Sequence, residues 1–316
     1  MNAPAFIAGD WGTSRLRLYL CDGARVLDRR SGPGVLGAAG SHESILFSLI
    51  EPWIAGGGSA QVLLCGMVGS RNGWVEAPYA PSPAGPDDLR RRLVKVENRR
   101  ARVMIMPGVA GPGPRGTPEV MRGEETQIIG AMALAPALGR GRWRLGLPGT
   151  HTKWALVEDG RIVSFQTALT GEVFGLLRDH GALAKVDGAR AAPMGAHGGD
   201  GFLAGLDRRL SGSGPGLLHE LFEARSRQLL DGWDPAYALD FLSGLLIGAD
   251  VEGAVTLFGE SARETILIGE PALTGRYQQA LAHLGHASRS LSGEECALAG
   301  LRSIALSMEE ADGVAV

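Results

Sequence analysis

Asp10 stands just before a Gly12-Thr13-Ser14 turn, and 137 residues later Leu147 stands just before a Gly149-Thr150-His151-Thr152-Lys153 turn in the same local frame. The first copy closes at Asp22-Gly23 and the second at Asp159-Gly160, so the spacing holds over the whole hairpin. A turn rich in Gly, Thr and Ser between two strands gathers backbone N–H groups and hydroxyls at one point, which suits an anionic phosphate. Two such turns can clamp a polyphosphate through Gly12, Thr13, Ser14, Gly149, Thr150, His151 and Thr152. The copies differ in charge. A carboxylate beside phosphates is unfavourable unless a cation lies between them, so Asp10, which only the first copy carries, is a candidate to hold Mg²⁺ through water. Lys153 belongs only to the second copy and can neutralise phosphate charge.

Glu124 and Glu125 follow Gly123 between the two turns, at the expected start of a helix. The helix dipole stabilises acids there whatever their role. Beside a phosphate clamp such an acid can also accept the proton of an attacking hydroxyl. The pattern favours Glu124 as the base and leaves Glu125 open. A second dense loop, Gly66 to Trp74, follows a buried apolar run, and strand ends in open α/β sheets are where ligands gather. Ser70 and Arg71 lie in it; Arg71 offers a planar fork for a carboxylate, and Trp74 and Tyr79 offer flat faces to a carbohydrate.

Composition excludes several classes. With 316 residues and 45% hydrophobic content, the chain exceeds the usual size of a single core, so two domains are expected. A net charge of −3 argues against a nucleic-acid partner, and the densest basic region, Arg90 to Arg92 with Arg99, Arg100 and Arg102, reads as a solvated helix face near a strand. Cys21, Cys65 and Cys296 are odd in number and far apart, and the seven histidines have no metal-ligand spacing. The N-terminus lacks the basic region of a signal peptide, and the apolar stretch Phe241 to Gly253 is too short to span a bilayer. The expectation is a cytoplasmic protein. Gly32-Pro33-Gly34-Val35-Leu36-Gly37 fits a dinucleotide fingerprint in letters only, because Pro33 interrupts it and no βαβ helix follows; no P-loop occurs.

The elements that must position these residues follow from periodicity. Phe6 to Gly9, Leu16 to Leu20 and Arg25 to Leu27 read as an antiparallel meander, Ser44 to Ile54 as a helix, and Gln61 to Gly66 as a buried strand. Pro107 to Pro114 reads as a domain junction, giving domains 1–113 and 114–316. Helices are expected over Glu124–Leu134, Gly175–Lys185, Leu217–Leu230, Ala238–Leu257 and Glu294–Leu306. A second meander is expected over Arg144–Gln166 and a strand leading into a helix from Thr265 to Gly269. Gly195–Gly201 and Ser211–Gly216 read as connections.

With these residues in hand the chain resembles the sugar kinase, Hsp70 and actin superfamily, and within it the 2-dehydro-3-deoxygalactonokinase family. The resemblance rests on Asp10-Trp11-Gly12-Thr13-Ser14, Gly66 to Tyr79, Val120 to Gln127, Leu147 to Trp154, Thr170 to Phe174, Leu242 to Gly248 and Ile268-Gly269. It implies an α/β fold of two RNase H-like (actin-like ATPase) domains with a nucleotide cleft between them, and ATP with Mg²⁺. It implies phosphorylation of the 6-hydroxyl of 2-dehydro-3-deoxy-D-galactonate in galactonate catabolism. Under it Glu124 and Asp10 are catalytic, while Ser70, Arg71, Trp74, Tyr79 and Glu125 bind substrate. Gly269 approaches the adenosine, although Glu270 replaces the second glycine usual there. The implied partners are a sugar acid and ATP, with no nucleic acid and no membrane, and with a homodimer left open.

Overall fold

The computed structural model describes residues 6–23, 25–38, 40–55, 60–98, 100–181, 199–212, 214–259 and 264–313. Its strands are β1 (Phe6–Trp11), β2 (Arg15–Asp22), β3 (Arg25–Pro33), β4 (Ala60–Cys65), β5 (Ala80–Pro81), β6 (Val94–Val96) and β7 (Ala101–Ile105), then β8 (Val109–Pro112), β9 (Pro118–Met121), β10 (Arg142–Leu147), β11 (Thr152–Glu158), β12 (Arg161–Ala168), β13 (Thr265–Gly269) and β14 (Ser288–Ser292). Its α-helices are α1 (His42–Ile54), α2 (Pro86–Arg90), α3 (Glu124–Leu134), α4 (Thr170–His180), α5 (Asp200–Leu210), α6 (Leu217–Leu230), α7 (Pro235–Phe258), α8 (Pro271–His283) and α9 (Gly293–Gly313).

The duplication read from the turns extends to topology. One sheet runs β3-β2-β1-β4-β7-β6 and the other β12-β11-β10-β13-β14, so an antiparallel meander in each is joined at its first strand by a later strand in parallel. In the first sheet Asp10 at the end of β1 pairs in register with Cys65 at the end of β4. A third, small sheet runs β5-β8-β9.

Two compact units emerge. The first comprises Met1–Arg142, Ala155–Phe165 and Leu291–Val316, the second Trp143–Trp154 and Gln166–Ser290. The boundary expected at 113/114 falls inside the first unit. Instead of a junction, the Pro/Gly-rich segment contains β8 and the turn of the β8–β9 hairpin, closed by Gly113 N–H to the Thr117 carbonyl at 2.7 Å. Pro112 ends β8, Pro107 precedes it and Pro114 lies in the turn, places where a missing N–H costs the ladder little. In the first unit Ile7, Leu16, Leu18, Leu46, Val62, Leu64 and Val103 form a closed apolar core between sheet and helix α1. Helices α3 and α9 cross so closely that a Cβ on Gly300 would meet the Thr126 carbonyl, which fixes the start of α3 and the two glutamates there.

Most helices begin and end near the expected residues, with α3 and α6 matching at both ends. Residues 182–185 of the expected 175–185 helix, 195–198 of the first connection and Arg99 lie outside the described residues. The rest of that connection starts α5, a helix that its glycines had concealed. The basic cluster is held in ion pairs on a helix face, Arg90 with Asp87 and Arg91 with Asp88.

Helix α7 is the element on which the second core forms. Its 24 residues are long and apolar enough by composition to cross a membrane, a greater length than the sequence reading marked, but 61% of its most apolar window is buried inside the protein. Asp234 starts it, accepting from Ala236 N–H at 2.9 Å and Tyr237 N–H at 3.1 Å, with Pro235 at the first helical position. Asp234→Ala is expected to cost about 1 kcal/mol in thermal unfolding. Asp234→Ser should recover most of that loss.

Candidate active site

Each glycine-threonine turn is braced from below by chain that follows the third strand of its meander. Under the first, Val35 N–H reaches the Gly12 carbonyl at 3.0 Å and Leu36 N–H the Thr13 carbonyl at 3.3 Å, while Trp11 Nε1–H donates to the Pro33 carbonyl at 3.0 Å. Under the second, Glu172 N–H reaches the Thr150 carbonyl at 2.9 Å. The contact is tight enough to demand glycine in both places. A Cβ on Gly34 would lie 2.3 Å from the Thr13 carbonyl oxygen, and one on Gly171 would lie 2.4 Å from that of Gly149. Gly34 and Gly171 are themselves 137 residues apart. The repeat spacing was the signal that could have found them, and it gives the rejected Gly32-Pro33-Gly34 motif a structural role.

The brace ties back turn carbonyls, whose partial negative charge would repel a phosphate, and leaves Thr13, Ser14, Thr150 and His151 exposed. Gly12 N–H closes the first turn onto the Arg15 carbonyl at 2.9 Å. His151 Nε2 lies 2.5 Å from the Glu172 carboxylate. Thr152 and Lys153 sit at the root of the second turn instead of on it. The first five residues of β11, Thr152 to Leu156, are all buried, as in a sheet covered on both faces. Thr152 Oγ1 therefore shares a hydrogen bond with Tyr277 Oη at 2.9 Å, and Lys153 Nζ donates to Thr167 at 3.1 Å.

Beside the second turn opens a cavity of about 480 Å³. Gly149, Thr150, Thr170 and Gly171 form one wall, Phe174, Ser243, Leu246 and Ile247 another, and Ala272, Leu273, Arg276 and Tyr277 of α8 the third. Gly269 ends β13 just before that helix, with its Cα side facing Thr274 and Pro148. Arg276 is held by an ion pair to the fully buried Asp240. Asp250, which sequence reasoning missed, ties the walls together: its carboxylate accepts from Trp154 Nε1–H at 2.7 Å, Thr170 Oγ1–H at 2.6 Å and Tyr277 Oη–H at 2.7 Å. Burial pushes this carboxyl upward, and the three donors pull it back toward the charged form.

The first unit gathers the acids. Asp10 Oδ2 accepts from Arg17 Nη1 at 3.2 Å, across the β1–β2 pair that sets the two residues opposite each other. Burial raises the Asp10 carboxyl and Arg17 lowers it. A Cβ on Gly66 would lie 3.4 Å from Asp10 Oδ1, and one on Gly123 would lie 3.4 Å from Gly66 Cα, so the β1 end, the β4 end and the start of α3 converge. Glu124 is half-buried, with Oε2 accepting from Arg122 N–H at 3.0 Å. Glu125 is sealed, accepting from Gly123 N–H at 2.7 Å and from Thr126 Oγ1–H at 2.9 Å. Burial first, and then the neighbouring Glu124, pushes its carboxyl up to about 7.

The loop after β4 divides. Ser70 turns its hydroxyl inward, Trp74 packs against the core, and Tyr79 is 40% exposed. Arg71, expected to grip a carboxylate, has a side chain 86% exposed, with Glu76 at 3.8 Å.

Residues 10–304 match the family model described as 2-keto-3-deoxy-galactonokinase. The chain is 36% identical over 302 residues to the 2-dehydro-3-deoxygalactonokinase of Escherichia coli (strain K12), covering 95% of this chain and 97% of that protein. A crystal structure from Sinorhizobium meliloti, named provisionally for the same activity, superposes with a TM-score of 0.87 at 33% identity, covering 96% of this chain and 99% of that one. The activator of 2-hydroxyisocaproyl-CoA dehydratase from Clostridium difficile, at 11% identity and a TM-score of 0.53 over 98% and 97% of the chains, shares the fold alone.

Two outcomes are expected of the buried carboxyls. Glu125 holds its proton more tightly folded, near 7, than in the unfolded chain, where it titrates near 4.5. Its contribution is complete below the lower value and lost as pH rises through the upper one. Glu125→Gln does not titrate, so its stability relative to the unaltered protein should rise from about pH 5 to about pH 8, by on the order of 3 kcal/mol; a flat difference in melting temperature would remove the assignment. Asp250→Asn leaves three donors facing a weaker acceptor and should cost about 1–3 kcal/mol. Adding Tyr277→Phe should then cost less than it does alone.

Proposed function

Because the chain belongs to the 2-keto-3-deoxy-galactonokinase family, we propose that it is an ATP-dependent kinase transferring the γ-phosphoryl group to the 6-hydroxyl of 2-dehydro-3-deoxy-D-galactonate in galactonate catabolism. The observation that carries this reading is the pair of braced turns with exposed tips, joined in one chain to a half-buried glutamate at a helix start. Each unit supplies part of the chemistry: the first an acid set and a turn, the second a turn and an apolar cavity of a size that fits a nucleoside.

Glu124 accepts the proton of the 6-hydroxyl as its oxygen attacks phosphorus, and ADP leaves with the electrons of the broken P–O bond. Its position suits the role better than that of Glu125, which is sealed and occupied with holding the loop. Glu125 is a support for that loop. The exposed turns hold phosphate oxygens by backbone N–H groups and by Thr13, Ser14 and Thr150, while Thr152 and Lys153 fix the second turn from beneath. Tyr277, Leu246 and Phe174 enclose the base and ribose.

The residues fit Mg²⁺. Among the described residues no group of three or more acidic, His or Cys side chains forms a metal cage. Mg²⁺ in phosphoryl transfer needs none, since one carboxylate, waters and the substrate phosphates complete its shell. Asp10, with Oδ1 beside the Cβ-free Gly66, would hold it through water. Bound there, Mg²⁺ would supply charge neutralisation at the phosphates. Arg17 keeps the Asp10 carboxylate oriented. The protein is proposed to work in the cytoplasm.

An ADP-release assay over a panel of keto-deoxy and aldonic acids, including the C4 epimer, is expected to give the highest kcat/KM with 2-dehydro-3-deoxy-D-galactonate. No turnover with any sugar acid would end the proposal. Glu124→Gln should lower kcat by ~10²–10⁴-fold with an unchanged melting temperature.

A further inference from the structure

We propose that Arg122, not Arg71, is the residue that recognises the carboxylate of the sugar acid; the inference rests on the kinase reading above. The small sheet makes the arrangement possible. Ala80 pairs with Val109 and Val109 with Met121, so the next row in register holds Tyr79, Gly108 and Arg122. Residues 43 positions apart in sequence thereby meet, with the Arg122 guanidinium carbon 4.4 Å from the Tyr79 ring centre. One nitrogen of the guanidinium is anchored, Nη2 donating to the Ala77 carbonyl at 2.8 Å. The other two nitrogens are not. Arg122 Nε and Nη1 are enclosed and have no hydrogen-bond partner, and neither has the enclosed hydroxyl of Ser70.

These groups face one another's segments. A Cβ on Gly69 would lie 3.1 Å from Arg122 Nη1, so this unpaired nitrogen looks toward the stretch that carries Ser70. A guanidinium cannot shed its charge, and enclosing two of its donors without an acceptor is costly. The cost is relieved by a ligand with two coplanar oxygens: Nη1 together with the second hydrogen of Nη2 forms a fork that matches a carboxylate in the bidentate geometry. The Ser70 hydroxyl offers a third donor. Tyr79, whose ring covers the guanidinium and is 40% exposed, is the group that turns aside to admit the acid. Arg122 also presents its backbone N–H to Glu124, so one short segment carries both the receiver of the acid end and the acceptor of the hydroxyl proton. Arg71 lacks this setting, because an exposed fork in water discriminates weakly.

The test compares 2-dehydro-3-deoxy-D-galactonate with its carboxamide, which keeps the shape and removes the charge. For Arg122→Met the KM of the acid should rise ~10–100-fold, the preference for acid over amide should collapse, and the KM of ATP should stay unchanged. Arg122→Lys keeps the cation and most of the stem over Tyr79 but loses the fork; it guards against a folding defect and should show the same loss in smaller degree. Arg71→Ala should leave the preference intact. An unaltered acid preference in both Arg122 variants, or its loss in Arg71→Ala, would overturn the assignment while leaving the kinase reading standing. Failure of the unaltered protein to phosphorylate the acid would overturn both.

Discussion

The structure depends on keeping two tight turns exposed while their own carbonyls are drawn back into hydrogen bonds. A free hairpin tip offers acceptors and donors alike, and phosphate tolerates only the donors. In both halves the solution is a second chain segment packed so close under the turn that it can carry no side chain at the point of contact, Gly34 in one and Gly171 in the other. The segment's N–H groups take turn carbonyls into hydrogen bonds. The brace also explains why the repeat is longer than the hairpin itself. The strap must arrive at a fixed place after three strands, so its spacing is as constrained as that of the turn.

Within this shared frame the halves are chemically unlike. Across the root of the first turn lies an ion pair, Asp10 with Arg17. The positions 137 residues on are Leu147 and Trp154, both apolar and buried, and Trp154 instead sends its N–H to Asp250 on α7. The first turn therefore has a carboxylate close by, suited to a hydrated cation. The second has the Asp250 carboxylate sunk behind the cavity wall, where it orders Thr170 and Tyr277. A similar separation of roles divides the two adjacent glutamates. Burial keeps Glu125 as a loop support, and a half-exposed position gives Glu124 reach.

Much of this was legible in the sequence because it is local. The turns, the α3 start, the β13 strand and the boundaries of α3 and α6 follow from periodicity and from residues with narrow backbone or capping preferences. Prolines and glycines misled where their context was tertiary. Those of 107–114 read as a break but lie in and around β8 and the turn that follows it, and those near 199–205 hid α5, which needs glycine to pack against α7.

The sequence alone determined the duplicated frame, the candidate acids and the family resemblance, since each is carried by residue identity at fixed spacing. Only the tertiary structure decided which of these side chains are exposed and which are buried. Thr152 and Lys153 lie under their turn because β11 is covered on both faces, and Arg71 points to water. Arg122, Asp250 and the bracing glycines gain their roles from partners far away in the chain. Spacing along a chain records local geometry, whereas burial and partnership depend on which distant segments are packed against each face.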